Sequence, residues 1–352
     1  MSKRRRNKSK RFTKQNSQRR VAAAILRKAY SMQIYIGFVA AGILIVAGML
    51  FMKEKHEVRS AIASIVSTQA TILFGGDMMF DRSIRTTIQT QGGGYIFSCL
   101  DPLFSREDLV VANLEGPITA STSISQFSQP GDGNNYTFTF PPSTAALLRA
   151  HNVRLVNIGN NHIMNFSRDG LLSTEKYLDE AGVGHFGDPD KTDQDKVARI
   201  EIKGIPFSFV NWSDWTSDNT DITAAQVKKE KAAGRVIVVY THWGVEYEPA
   251  TIREKTLAHD FIDEGADIVI GSHPHIVQEH EIYKGKNIYY SLGNLIFDQY
   301  FDPSVEHGLM LQVDFDKTGV KNVTEIPVTL QTNRVTCPSS DVQKTEVAAK
   351  AD

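Results

Sequence analysis

The sequence predicts a layered α/β domain across residues 70–336, and three observations carry that reading. Short runs of Val, Ile and Leu recur along the chain. Each ends in a polar or glycine-rich turn, and longer amphipathic stretches lie between them. In order, Thr71–Phe74 runs into Gly75–Gly76–Asp77, and Leu109–Ala112 runs into Asn113–Leu114–Glu115–Gly116. Val153–Ile158 leads to Gly159–Asn160–Asn161–His162, and Val236–Tyr240 to Thr241–His242–Trp243–Gly244. Ile268–Ile270 leads to Gly271–Ser272–His273–Pro274–His275, and Ile288–Tyr290 to Ser291–Leu292–Gly293–Asn294. Continuous apolar runs of this length suit strands buried on both faces. Leu171–Ala181, Ala224–Ala233 and Thr256–Glu264 read as helices. Ala120–Pro142 reads as a long surface loop near the site, with a short strand at Tyr136–Phe140.

Charge divides the chain ahead of that domain. Residues 1–28 carry twelve Lys and Arg, and the first acidic residue is Glu54. From residue 29 onward 27 basic residues face 40 acidic ones, a net of −13. Between the two regions Ala29–Met52 holds no charge, and its apolar heart, Ile34–Met52, is 19 residues long. At about 1.5 Å per residue it matches the hydrocarbon thickness of a bilayer. The basic flank predicts an N-terminus in the cytoplasm and a main domain outside the cell membrane. A cleaved signal peptide would be shorter, and the candidate site Ala61–Ile62–Ala63 lies beyond the charged stretch Lys53–Arg59. Beside such an anchor, the basic tail binds anionic lipid and fixes orientation; nucleic acid is not the expected partner. Residues 53–69 read as a spacer, and residues 337–352 as a frayed polar tail. Outside the membrane a disulfide between Cys99 and Cys337 is permitted, but two cysteines 238 positions apart do not reveal one, and free thiols are the plainer reading.

Polar residues fall where chemistry is done. Asp77, Glu115, Asn161, His162, His242, His273 and His275 all follow the C-terminal end of a predicted strand, the edge at which open α/β sheets bind ligands. Carboxylate, amide and imidazole together suit a divalent manganese, iron or zinc ion. Taken singly, each has a plainer reading: His242 as a packed or capping histidine, Asp77 and Asn161 as turn formers or N-caps, Glu115 as a solvated carboxylate. Five strand ends each delivering a candidate ligand point instead to one shared metal or anion site.

The same residues resemble the CapA family, the membrane-anchored proteins of bacterial capsule and poly-γ-glutamate synthesis. The segments that carry the resemblance are Gly76–Arg82, Asn113–Gly116, Gly159–His162, His242–Tyr247, Gly271–His275 and Ser291–Asn294, in order within roughly residues 71–330. That family in turn resembles the calcineurin-type metallophosphoesterases, which implies a four-layer α/β/β/α sandwich preceded here by one transmembrane helix. By resemblance, Asp77 and His275 serve a first metal, Asn161, His242 and His273 a second, and Glu115 bridges them. His162 is the catalytic histidine that protonates a leaving group. Arg82, Asn160, Glu246 and Asn294, in the same motifs, are the implied substrate contacts. Two positions depart from the phosphoesterase pattern: Met79 stands where a histidine is expected, and Glu115 where aspartate is usual. The cofactor is therefore one or two divalent ions. The implied role is in capsular poly-γ-glutamate synthesis or export, alongside membrane-bound synthase subunits and an anionic polymer. The alternative is a metal-dependent phosphoesterase or γ-glutamyl hydrolase at the cell surface. An acidic domain does not attract a polyanion at long range, so capture needs a local cation such as the metals or Arg82.

Overall fold

Alternation along the strands divides side chains between a core shared by two sheets and a separate core on the outer face of each sheet. In β1 (Ala70–Met78), Ala70, Ile72 and Phe74 face inward and Leu73 outward. In β2 (Leu109–Leu114), Leu109 and Val111 face inward while Val110 and Ala112 face outward. The pattern repeats in β7 (Val236–His242) and β8 (Ile268–Ser272), where Val236, Val238, Tyr240, Ile268 and Ile270 meet the inward side chains of β1 and β2. Their outward residues Ile237, Val239 and Val269 pack elsewhere. The inward sets form one apolar layer between two sheets, so the strands are buried on both faces, as continuous apolar runs require.

The structure is a computed structural model that describes residues 26–28, 30–32, 42, 47–49, 51–53, 69–190, 196–215, 220–338 and 345–348. The chain divides into two units, Met1–Ser67 and Thr68–Asp352. The anchor expected at residues 29–52 and the spacer after it lie mostly outside the described residues. Among the described residues no helix is long and apolar enough to cross a membrane.

The second unit is a mixed α/β domain of two sheets. In the first sheet β1, β2, β3 (Val153–Asn157) and β4 (Gly184–Phe186) run parallel. On the other side of β1, β12 (His307–Asp316), β13 (Gly319–Gln331) and β14 (Arg334–Thr336) follow antiparallel, and β11 (Asn294–Ile296) also pairs with β1. The second sheet has the order β5 (Val197–Ile202), β6 (Ile205–Ser213), β7, β8, β10 (Lys286–Tyr289) and β9 (His280–Tyr283). Helices α1 (Arg82–Gln91), α2 (Gly93–Phe97), α3 (Asp101–Phe104), α4 (Ser143–Ala150) and α5 (Ser167–Ala181) accompany the first sheet. Ile84, Phe97, Phe104, Leu148, Leu171 and Leu178 pack there on the outward residues of β1 and β2. On the second sheet, α6 (Thr220–Ala232) and α7 (Ile252–Asp263) place Val227, Leu257 and Phe261 against Ile237, Val239 and Val269.

Three expectations are corrected. Tyr136–Phe140 is not a strand: Phe140 makes one isolated bridge, to Ile118, because this segment is held by side-chain contacts instead of a ladder. Cys99 and Cys337 are joined in a disulfide, their Cα atoms 5.7 Å apart, so they are not free thiols; β14 delivers Cys337 to the segment that follows α2. Part of the expected tail is also ordered into the sheet, since Thr345–Ala348 forms β15 and pairs with β13.

Close approach explains one glycine motif. The Asp77 backbone N–H donates to the Gly293 carbonyl at 3.0 Å, and a Cβ on Gly76 would lie 1.8 Å from that oxygen. Only glycine lets β1 pass this turn and carry Asp77 to the sheet edge.

Candidate metal centre

Register brings the polar residues together. Asp77 on β1 lies opposite Asn113 on β2 and Asn294 on β11, and Asn113 lies opposite Asn157 on β3. In the second sheet His242 sits between Ser213 and Ser272. Both edges open to the same place, so the centre is assembled half from each sheet.

Glu115, His242 and His273, all buried, each offer one ligand atom within 4.8 Å of the others. Glu115 Oε1 lies 3.5 Å from His242 Nε2, and Asn161 Oδ1 lies 2.8 Å from the same nitrogen. The protons follow from the outer contacts. Ser272 Oγ gives its hydrogen to the Thr241 carbonyl at 2.8 Å, so His242 Nδ1, 2.9 Å from that oxygen, must be the donor. Neutral His242 then carries its lone pair on Nε2, facing two oxygens that also carry lone pairs. A cation, either a proton or a metal ion, is what such an arrangement holds. Two further atoms favour the metal: Glu115 Oε1 and His273 Nδ1 are buried without a hydrogen-bond partner. The donor set of one carboxylate, two imidazoles and one amide oxygen fits a single divalent ion.

Asp77 and His275 are differently occupied. Asp77 Oδ1 accepts from Asn113 Nδ2 at 2.8 Å, and Oδ2 accepts the His273 backbone N–H at 3.2 Å and faces His275 Nδ1 at 3.3 Å. Asn294 turns its amide nitrogen to Gln299 Oε1 and the Val305 carbonyl, each at 3.1 Å. Its oxygen therefore also meets His275 Nδ1, at 3.0 Å. Asp77 thus orients a histidine and the turn that carries His273, with neither oxygen left unpaired, as partners of metal-binding histidines do. Both His273 and His275 adopt left-handed backbone angles, φ 100° and 59°, in which non-glycine residues are strained.

His162 Nε2 lies 3.9 Å from Glu115 Oε1, and its ring packs at 4.5 Å on Phe138, from the loop expected near the site. Asn160 donates to Asn113 Oδ1 and the Leu114 carbonyl and accepts the His162 backbone N–H, so it shapes this turn from a buried position. Arg82 is not free for substrate. It pairs with Asp298, donates to Asn135 Oδ1 at 2.9 Å, and stacks on Phe138 and Phe297. Glu246 is half-buried and acts on His275 electrostatically. Met79 is fully buried in the helix-side core, and its sulfur accepts the Asp81 backbone N–H.

Burial works to raise the Glu115 carboxyl, but the His242 ring beside it, with His162 and His275, holds it well below the usual carboxylate range. Burial, reinforced by His242, pushes His273 down to about 2. Burial also lowers His162, against the pull of Glu115. His275 goes the other way: burial lowers it, and the hydrogen bond and charge of Asp77 outweigh that.

Sequence reading found the inward residues and missed the ones that hold them. Asn113 connects Asp77 and Glu115, Asn157 donates to Asn113 at 3.0 Å, and Asn211 donates to Asn157 at 2.9 Å. An asparagine inside an apolar strand run is a readable signal, since a buried amide must be paired. Trp215, whose ring lies tilted against His273 with the centroids 4.2 Å apart, carried no such signal.

Residues 71–299 match the family model described as bacterial capsule synthesis protein PGA_cap. The chain is 28% identical over 316 residues to the PGA biosynthesis protein CapA of Bacillus subtilis (strain 168), covering 83% of this chain and 80% of that one. It is 25% identical over 298 residues to the capsule biosynthesis protein CapA of Bacillus anthracis, covering 79% and 72%. A probable polyglutamine synthesis accessory protein of Mycobacterium tuberculosis is 29% identical over 218 residues, covering 54% and 56%. With the quoted motifs lying inside the matched span, the chain belongs to the bacterial capsule synthesis protein PGA_cap family.

Proposed function

We propose that this protein serves capsular poly-γ-glutamate synthesis or export as a membrane-anchored component whose domain outside the cytoplasmic membrane binds a divalent metal ion. Its relatives' names support the polymer. The basic tail and the uncharged run Ala29–Met52 support the anchor and its orientation. The Cys99–Cys337 disulfide suits an oxidising compartment. In this reading the two sheets are those of a calcineurin-like metallophosphoesterase sandwich, and synthase subunits in the same membrane are the partners.

The observation that carries the metal is the pair of buried, unpartnered atoms Glu115 Oε1 and His273 Nδ1 beside the His242 lone pair. Glu115, His242, His273 and Asn161 hold the ion. When bound, it polarises a substrate oxygen and acidifies water. Ser272 and Asn294 fix the rings of His242 and His275, and Asp77 keeps the Ser272–His275 turn against β1. Trp215 and Phe138 pack against one side of His273 and His162.

Metal analysis of the full-length protein in detergent tests this. One bound divalent ion per chain is expected, lost in Glu115→Gln and His273→Ala, with polymer output falling in cells that carry either variant. Wild-type protein that takes up no manganese, iron or zinc on reconstitution refutes it.

A further inference from the structure

A polyanion held by an acidic domain needs a local cation, and Arg82 is committed to Asp298. Away from the metal centre, cations gather around an open space. A cavity of about 400 Å³ lies ahead of β8, between α6, the turn that follows α7 and the β9–β10 hairpin. Three lysines line it, Lys231, Lys284 and Lys286, together with two aspartates, Asp263 and Asp267. From here β8 runs to Ser272 beside His242, so the cavity and the metal centre lie at opposite ends of one strand.

The bonds around Asp267 leave charge over. This carboxylate is fully buried. Its Oδ1 accepts from Lys231 Nζ and Lys286 Nζ, both at 2.9 Å. Its Oδ2 accepts from Lys231 Nζ at 2.7 Å and from the Ile237 backbone N–H at 2.9 Å. Four donors fill the four lone-pair positions of a carboxylate, and one negative charge faces two ammoniums. Lys284 pairs with Asp263 at 2.6 Å, so three lysines against two aspartates leave the lining with one surplus positive charge. These bonds leave one ammonium proton on Lys231 and two each on Lys284 and Lys286. The lysine side chains are 34–60% exposed, which opens those protons to a ligand from solvent.

Backbone shape holds the lysines in place. Lys284 and Gly285 form the two-residue turn of the hairpin, both with left-handed angles, φ 48° and 70°, and Lys286 follows at once. Across the cavity, a Cβ on Gly265 would lie 2.8 Å from Lys231 Cγ, so glycine lets the lysine stem lie over the turn.

We propose that this cavity binds a carboxylate of the anionic polymer, so that the domain grips the chain at the end opposite its metal centre. The assignment rests on the polymer reading above and adds the surface that takes the polymer. One surplus positive charge matches one carboxylate. Lysine ammoniums on flexible stems meet it as point charges, without the planar fork of arginine. Each γ-linked glutamyl residue leaves one carboxylate free, so a long chain offers the cavity a partner at every residue. Binding strengthens with chain length, because a released carboxylate is replaced by its neighbour. It weakens in salt, because the lysines are partly exposed.

Fluorescence anisotropy of a labelled γ-glutamyl decamer, titrated with the full-length protein in detergent, tests this. Wild-type protein should bind the decamer more tightly than a trimer, and more weakly as sodium chloride is raised. The double variant Lys284→Gln, Lys286→Gln leaves Asp267 with Lys231 and the Ile237 N–H, and a thermal melt shows whether it folds. It should bind about tenfold more weakly, the loss of one charge-assisted hydrogen bond. Lys284→Glu, on the exposed turn and away from Asp267, should weaken binding in the same direction. Wild-type affinity in these variants overturns the proposal, and so does wild-type protein that leaves the decamer free. EDTA should not change decamer binding. If EDTA abolishes it while the lysine variants retain it, the polymer is held at the metal centre; this cavity is then excluded and the function proposed above stands. Metal content of the same samples reports on that function independently. Inorganic phosphate, at a concentration equal to that of the decamer's carboxylates, should not displace it; displacement would assign the cavity to phosphate groups and overturn the polymer as its ligand.

Discussion

Ser272 spends its only hydroxyl proton on the Thr241 carbonyl, and so obliges His242 to donate through Nδ1 and face the centre with Nε2. That relationship makes Ser272 part of the proposed metal site without its being one of the ligands. Ser272→Ala should fold and should bind the divalent ion about 10–100-fold more weakly, the usual effect of removing such a partner. Isothermal titration with zinc or manganese checks it; an unchanged affinity would mean that the ring is oriented by its packing alone.

Stability of the metal-free protein should depend on pH through His273. Burial depresses the folded value to about 2 from the ordinary imidazole value of 6.5, so below pH 6.5 the unfolded chain takes up a proton that the folded one refuses. The stabilisation is complete above 6.5 and declines as pH falls, by roughly 1.4 kcal/mol per pH unit for one group. His162 adds in the same direction, and His275, whose value is raised, partly offsets both. Denaturant melts of EDTA-treated protein at pH 7.5, 6 and 5 should show the decline, and His273→Asn should flatten it.

Asp81 holds the long loop. Its carboxylate accepts from Arg85 Nε, Ser123 Oγ, Ser125 Oγ and the Thr139 backbone N–H, and it is fully buried. Asp81→Ala strands the Arg85 cation and should cost about 3–5 kcal/mol. Limited proteolysis should then cut within residues 120–140, where the wild type resists.

The anchor and orientation have their own test. Protease added to intact spheroplasts should digest the chain beyond about residue 55 and spare the basic tail. A protected C-terminal domain would reverse the topology.

How much of this was legible depended on what each residue answers to. β1, β2, β3, β7 and β8 were visible because strands buried on both faces write uninterrupted apolar runs, and their ends named Asp77, Glu115, His242 and His273. The predicted helices existed but began about four residues early. In α7, Thr251 and Glu254 form a capping box that marks the true start, ahead of the apolar residues that suggested Thr256. α1 was not seen, since its polar surface reads as loop until Ile84 and its neighbours pack on the first sheet. The partners of Asp77 and Arg82 were not legible for another reason. Which partner a side chain takes depends on residues far along the chain, His275 for one and Asp298 for the other.

The disulfide joins residues 99 and 337, so its second half is among the last parts of the domain to be synthesised. Strands β2 to β14 all lie within the loop that the bond closes. Oxidation therefore ties the start of the domain to its C-terminal strands. Reduction or Cys99→Ser should cost about 2–4 kcal/mol, visible as a lower melting temperature. In a cell lacking thiol oxidants outside the cytoplasm, chains should accumulate that are full-length but unsealed, open to proteolysis at the C-terminal strands and lost before they contribute to the capsule.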